Sequence, residues 1–229
     1  MALQVDGFWD FGDLSATGSN ASTTHTYANP NSYNVTLTVK NGNNCVASKT
    51  KPVVVHSQPF ANFALPTAVC LPIGFASFTN QSSVADDANP SYTWDFGDPN
   101  NSTGSTLPNP THNYSSTGPF NIKLTVKSQY QCSKDTIKTL SSVYTEPQAD
   151  FIALPDEVCL GDTIVFNNTS TGNGVTWRWN FGDGNTDTLK NSGHTYTDSG
   201  SFVVSHYYVD IHGCTSITKQ DTVTIHPYP

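Results

Sequence analysis

Charge, methionine and long apolar runs are all scarce in this 229-residue chain. Only 12% of residues are charged and a single methionine is present. Ten Lys and Arg stand against eighteen Asp and Glu, for a net charge of −8. No basic patch is therefore expected, which argues against nucleic acid or an anionic membrane surface as partner. No apolar run approaches the about 18 residues that a membrane-spanning helix needs. Helical periodicity is absent throughout, while Thr, Ser and Asn, which favour strands and turns, are abundant. Met1–Val5 lacks the charged and apolar regions of an export signal.

What the chain does have is a repeated stretch: Trp9-Asp10-Phe11-Gly12-Asp13, Trp94-Asp95-Phe96-Gly97-Asp98 and Trp179-Asn180-Phe181-Gly182-Asp183. The tryptophans are 85 residues apart both times, a period that means an array of small domains. Trp and Phe two positions apart share one face of a strand, and the residue between them faces the other way. Gly-Asp then ends the strand in a turn, because Gly tolerates positive φ and Asp bonds to nearby backbone.

The downstream segments repeat too. His25-Thr26-Tyr27 matches His112-Asn113-Tyr114 and His194-Thr195-Tyr196. An alternating strand follows, with Tyr33, Val35, Leu37 and Val39 on one face. Its counterparts are Phe120, Ile122, Leu124, Val126 and Phe202, Val204, His206, Tyr208, so His206 is an inward polar residue that calls for a partner. From the leading aromatic to the next cysteine is 12 residues in each copy (Tyr33–Cys45, Phe120–Cys132, Phe202–Cys214), a constant that fixes hairpin register. Short strands with turn signals every ~8–12 residues predict an all-β chain of immunoglobulin-like sandwiches. The expected units are 1–58, 59–146 and 147–229. Only eight residues precede Trp9, against 35 from Pro59 to Trp94, so the first unit is expected to lack its opening strands. That reads as a window on a longer array, its export signal lying outside the window.

The motif Trp-Asp-Phe-Gly-Asp, then His-x-Tyr, then aromatic-x-Val/Ile-x-Leu-Thr-Val resembles the PKD domain over the whole chain. The cysteines after the first strand and in the last hairpin resemble the PKD arrays of Bacteroidota surface proteins, including gliding-motility adhesins. The resemblance implies tandem immunoglobulin-like PKD sandwiches arranged head to tail, outside the cell, in proteins often exported by the type IX route. It also implies spacer or binding roles, commonly beside adhesins, proteases or glycosidases.

Each candidate site has a plain alternative. Asp13, Asp98 and Asp183 are expected to cap turns. The resemblance also raises calcium at that turn, but calcium takes about six to eight oxygens and each unit offers two carboxylates at most. No other metal or cofactor is implied. Tyr27, Tyr114 and Tyr196 resemble the tyrosine corner of such sandwiches, with the phenol bonding back to backbone. His25, His112 and His194 lie in separate units and cannot share one metal, so they read as structural. Trp9, Phe11, Trp94, Phe96, Trp179 and Phe181 are the expected core. No Ser or Cys has a His base and an orienting acid clustered in a pocket-forming loop, so no enzyme is expected. Tyr130 and Tyr207 are the exposed aromatics to which a glycan could bind, and both are equally ordinary surface residues.

Five cysteines in an extracellular chain imply disulfides. The default pairs are Cys70–Cys132 and Cys159–Cys214, within units. In an immunoglobulin-like sandwich, however, the A–B turn and the F–G hairpin lie at opposite ends, roughly 25 Å apart for strands of seven or eight residues. A disulfide needs Cα atoms within about 7 Å. That favours an inter-repeat bond, Cys70–Cys214, with Cys45, Cys132 and Cys159 pairing outside this window. The expected function is a non-enzymatic structural or adhesive segment of a stalk or filament, stiffened by disulfides. Its partners would be neighbouring repeats, further copies in a filament, or a surface glycan or protein. The alternative is a set of accessory repeats that position a secreted glycosidase or protease.

Overall fold

A computed structural model describes residues 5–20 and 22–229, and among them every regular element is a β-strand. The chain divides into two compact units. One takes the described residues up to 63, with 81–94 and 124–136; the other takes 64–80, 95–123 and 137–229. The division falls inside the second repeat, so residues 56–59, leaving the first repeat, lie in one unit and residues 144–148, leaving the second, lie in the other.

In the first unit, strands Val5–Asp10, Asn31–Asn41 and Val46–Val55 form an antiparallel sheet in sequence order. The register sets Trp9 beside Leu37 and Tyr33 beside Val53. Pro52 is tolerated because its strand is at the edge, where no ladder donor is required of it. Phe11 and Tyr33 are buried, but Trp9, Val35, Leu37 and Val39 are only half-buried. Trp9, Val35, Leu37 and Val53 line a groove with the stems of Lys49 and Lys51 on the sheet face. The second repeat's part of this unit is closed: Phe63 meets Trp94 edge-on at 5.1 Å, with Leu124 and Val126 fully buried.

The second unit holds the third repeat as a complete sandwich. One sheet orders Phe151–Leu154, Thr163–Asn168 and Ser192–Thr195. The other orders Glu157–Cys159, Lys219–His226, Gly200–Asp210, Gly174–Asn180 and Thr186–Asp187. Phe151, Ile164 and Phe166 from the first sheet interdigitate with Trp179, Val204, Val223 and Ile225 from the second. The opening strand changes sheet between Leu154 and Glu157 and then runs parallel to the closing strand, with Cys159 opposite His226. The second repeat's part of this unit makes the same parallel pairing, Cys70 opposite Tyr144. This switch carries the cysteine to the place where the chain leaves the repeat.

His206 fills the inward position that is Leu37 or Leu124 in the other repeats, fully buried and stacked on Trp179 at 3.9 Å. Its Nδ1 bonds the Arg178 carbonyl at 3.2 Å, while Nε2 has no partner. Burial lowers its pKa, which keeps the ring neutral in the core.

Candidate inter-repeat interfaces

The five-residue motif builds the same polar turn three times. The first acidic or amide residue accepts from the Gly amide at 2.9 Å: Asp10 from Gly12, Asp95 from Gly97 and Asn180 from Gly182. An amide oxygen serves as well as a carboxylate here, which explains Asn180. The glycine is required, since φ is +76°, +63° and +83° at the three copies. A Cβ there would also lie 2.5–2.8 Å from a carbonyl oxygen of the neighbouring strand. The closing Asp13, Asp98 and Asp183 accept the amides of Ser15, Asn100 and Asn185.

The other oxygen of each closing aspartate receives a histidine: His25 at 2.7 Å, His112 at 3.1 Å and His194 at 2.7 Å. Each imidazole lies flat on the motif Phe, with centroids 4.0, 4.5 and 4.2 Å apart. Hydrogen bonds from Ser15 and His25 bring Asp13 down to about 2. At Asp183 burial pulls the pKa upward, but bonds from His194 and Asn185 outweigh it and bring it to about 2. The tyrosines donate to the motif Phe carbonyls: Tyr27 to Phe11, Tyr114 to Phe96 and Tyr196 to Phe181, at 3.0–3.2 Å. Both oxygens of every closing aspartate are thus occupied within the repeat. Among the described residues no three His, Cys, Asp or Glu side chains gather as metal ligands. The His–Asp pairing is not readable from spacing, because the offsets differ (12, 14 and 11 residues) with the length of the intervening loop.

A second arrangement recurs where one repeat meets the next. In the first unit, His56 follows the closing strand of the first repeat and stacks on Tyr130 of the second, centroids 3.3 Å apart and planes within 11°. Asp86 holds it in place, accepting from His56 Nδ1 at 2.8 Å and from the Ser57 amide at 3.1 Å. In the second unit, Tyr144 stacks on His212 of the third repeat, at 3.7 Å and 12°. Tyr130 and His212 occupy the same position, two residues before the hairpin cysteine. The two ring types have changed places between the junctions. Tyr130, a glycan candidate in the sequence, therefore has one face committed to a junction. Tyr207 stays at the surface beside Arg178 and Asp187.

The hairpins that carry these rings share one turn. The amides of Asn44, Gln131 and Gly213 each bond the carbonyl three residues back at 3.0 Å, and all three residues have positive φ. This sets the following residue, Cys45, Cys132 or Cys214, at the same corner. Cys214 is joined to Cys70 by a disulfide with Cα atoms 5.5 Å apart and a sequence separation of 144. The start of the third repeat is held to its own body, the Ile217 amide bonding the Pro147 carbonyl at 3.1 Å and Gln148 bridging to Thr171 and Ile217. Cys45 and Cys159 are exposed free thiols, and Cys132 is a half-buried one.

The PKD domain family matches residues 4–55, 56–143 and 144–225. The chain therefore belongs to the PKD domain family, as three tandem immunoglobulin-like modules. It is similar to the crystal structure of the PKD1 domain from the Vibrio cholerae metalloprotease PrtV, with 31% identity, 35% of this chain, 96% of that domain and a TM-score of 0.31. It is also similar to the PKD1 domain of Vibrio anguillarum Epp, with 26% identity, 36% and 96% coverage and a TM-score of 0.32. Three N-terminal domains of the bacteriophage RB49 outer capsid protein Hoc align over 98% of this chain and 89% of that one, at 12% identity and a TM-score of 0.44.

Proposed function

We propose that this chain is a non-enzymatic extracellular segment of a stalk or filament, in which consecutive PKD repeats are fixed to one another to carry load or present an adhesive surface. The observation that supports it most is the Cys70–Cys214 bond, which joins the second repeat to the third instead of closing either one. Tension entering at Cys70 can pass directly to Cys214, so the residues between them are relieved of extension. Ring stack and disulfide attach the second junction at two separate points, Tyr144–His212 and Cys70–Cys214. Two attachments, one of them covalent, restrain the hinge that a linker of a few residues otherwise leaves. A disulfide belongs to an oxidising compartment, in keeping with a place outside the cell.

The test is backbone ¹⁵N relaxation on the whole chain with the disulfide intact and in the Cys70→Ser/Cys214→Ser double variant. The second and third repeats are expected to share one rotational diffusion tensor in the first case and to separate in the second. Independent tumbling of the two repeats with the disulfide intact would contradict the reading.

A further inference from the structure

The third repeat displays a surface of the kind that receives the hairpin at the second junction, and among the described residues its cysteine is exposed. Cys159 lies opposite His226 as Cys70 lies opposite Tyr144, in the same parallel pairing. The next amide closes on the exit residue in both: Leu160 to the His226 carbonyl at 2.8 Å, and Leu71 to the Tyr144 carbonyl at 3.0 Å. Around Cys70 this surface is covered by a hairpin carrying His212 and Cys214. Around Cys159 the thiol and the His226 ring are both exposed.

The first repeat displays the other half. Its hairpin from Asn41 to Cys45 has the turn of the docked hairpins, down to the positive φ of Asn44, and Cys45 is exposed. The segments carrying the two cysteines bear opposite charge, with Asp6 of the adjoining strand opposite Lys40 in register. Residues 31–55, the hairpin strands, contain Lys40, Lys49 and Lys51 and no acid, and all three lysines are exposed. Residues 155–163, around Cys159, contain Asp156, Glu157 and Asp162 and no base, all exposed.

We propose that the surface bearing Cys159 and His226 docks the Cys45 hairpin of a second copy of this chain, and that a Cys159–Cys45 disulfide closes the contact. Two thiols become one disulfide, and their two protons and two electrons pass to a small-molecule disulfide oxidant, which leaves as two thiols. Because the two surfaces differ, the contact is heterologous and propagates along a chain of copies rather than closing as a dimer. Like surfaces repel: two Cys45 hairpins are both basic, and two Cys159 surfaces are both acidic. The docked hairpins have one feature that this one lacks. Asn43 stands where Tyr130 and His212 supply a ring, so His226 meets no stacking partner. The inference rests on the reading of stapled repeats given above.

Incubating the whole chain at low salt with a mixture of oxidised and reduced glutathione tests it, read by non-reducing electrophoresis and by mapping disulfide-linked peptides. The expected result is a ladder of dimers, trimers and higher species linked by a Cys45–Cys159 peptide. Cys159→Ser and Cys45→Ser should each abolish the ladder, and Cys132→Ser should leave it. Raising salt from about 0.02 M to about 0.5 M should slow cross-linking several-fold, and Asn43→Tyr should speed it roughly two- to tenfold by completing the ring pair. Monomer alone, or Cys45–Cys45 and Cys159–Cys159 links forming as fast as the mixed one, would overturn the proposal. The same peptide map reports Cys70–Cys214. If that bond is present without a ladder, only this inference fails; if it is absent, the reading of stapled repeats fails first.

Discussion

The two junctions in this chain use the same geometry with different fastenings. Each lays the ring that leaves one repeat on the ring that precedes the hairpin cysteine of the next, His56 on Tyr130 and Tyr144 on His212. At the first junction the fastening is a carboxylate, Asp86, which grips His56 and the Ser57 amide. At the second it is the Cys70–Cys214 bond. The difference shows which part of the contact is general. Ring stacking and the hairpin turn position the repeats, and the covalent bond is an addition that fixes what stacking has already placed. An aromatic pair contributes about 0.5–1.5 kcal/mol, a few-fold to tenfold bias, which favours a docked junction without locking it.

The largest expected effect comes from removing the addition. A bond closing a loop of this separation restricts the unfolded chain by roughly 5 kcal/mol in the chain-entropy account. Cys70→Ser/Cys214→Ser should lower the denaturant midpoint of the second and third repeats accordingly, while leaving the first junction as it was. An unchanged midpoint would mean that the bond is incidental to the junction.

The comparison sharpens with single ring deletions. Tyr130→Ala should loosen the first junction by about 0.5–1.5 kcal/mol, seen as faster proteolysis of residues 56–59. His212→Ala should have little effect on the second junction until the disulfide is reduced, and then match Tyr130→Ala. Equal loosening in the oxidised protein would contradict the view that the bond makes the stack redundant.

A smaller effect follows from Asp86. Its replacement by Asn should weaken the first junction only slightly, since the pair is partly solvated. Salt dependence of that loss, measured by the same proteolysis, separates the charge from the hydrogen bond.

The smallest expected effect is with pH. The His56 hydrogen bond holds the Asp86 pKa below 3.8, with the Ser57 amide adding to it. A depressed carboxylate contributes stability that is full above its ordinary value and is lost as pH falls through the lowered one. The Ser57 amide resonance should therefore shift below about pH 4 at the first junction, with no matching change at Tyr144. Asp13 and Asp183, at about 2, should titrate in the same acid window, and their loss reports on the repeats rather than on the junction.

Much of the fold was legible because its signals are periodic. Tryptophans 85 residues apart give the repeats, and alternation from Phe120 to Val126 gives a strand whose inward residues are all buried. The motif carboxylates read as turn caps because Asp at a strand end has few other uses. Other parts were not legible. The opening strand of the third repeat changes sheet, so Cys159 ends a short strand beside the exit of the repeat, a placement that no alternation pattern encodes. The His–Asp pairs cross loops of unequal length, and His56 on Tyr130 joins residues 74 positions apart whose types are reversed at the other junction. Contacts of that kind depend on where the fold delivers the chain.

The most direct test of the account is to stretch single molecules of the oxidised chain from both termini and measure the contour released. With Cys70–Cys214 closed, a separation of 144 residues is withheld from extension, which shortens the released contour by roughly 500 Å. Adding reductant, or using Cys70→Ser/Cys214→Ser, should restore that length. The same full contour with and without reductant would contradict the claim that the Cys70–Cys214 bond staples the second repeat to the third and carries tension past the residues between.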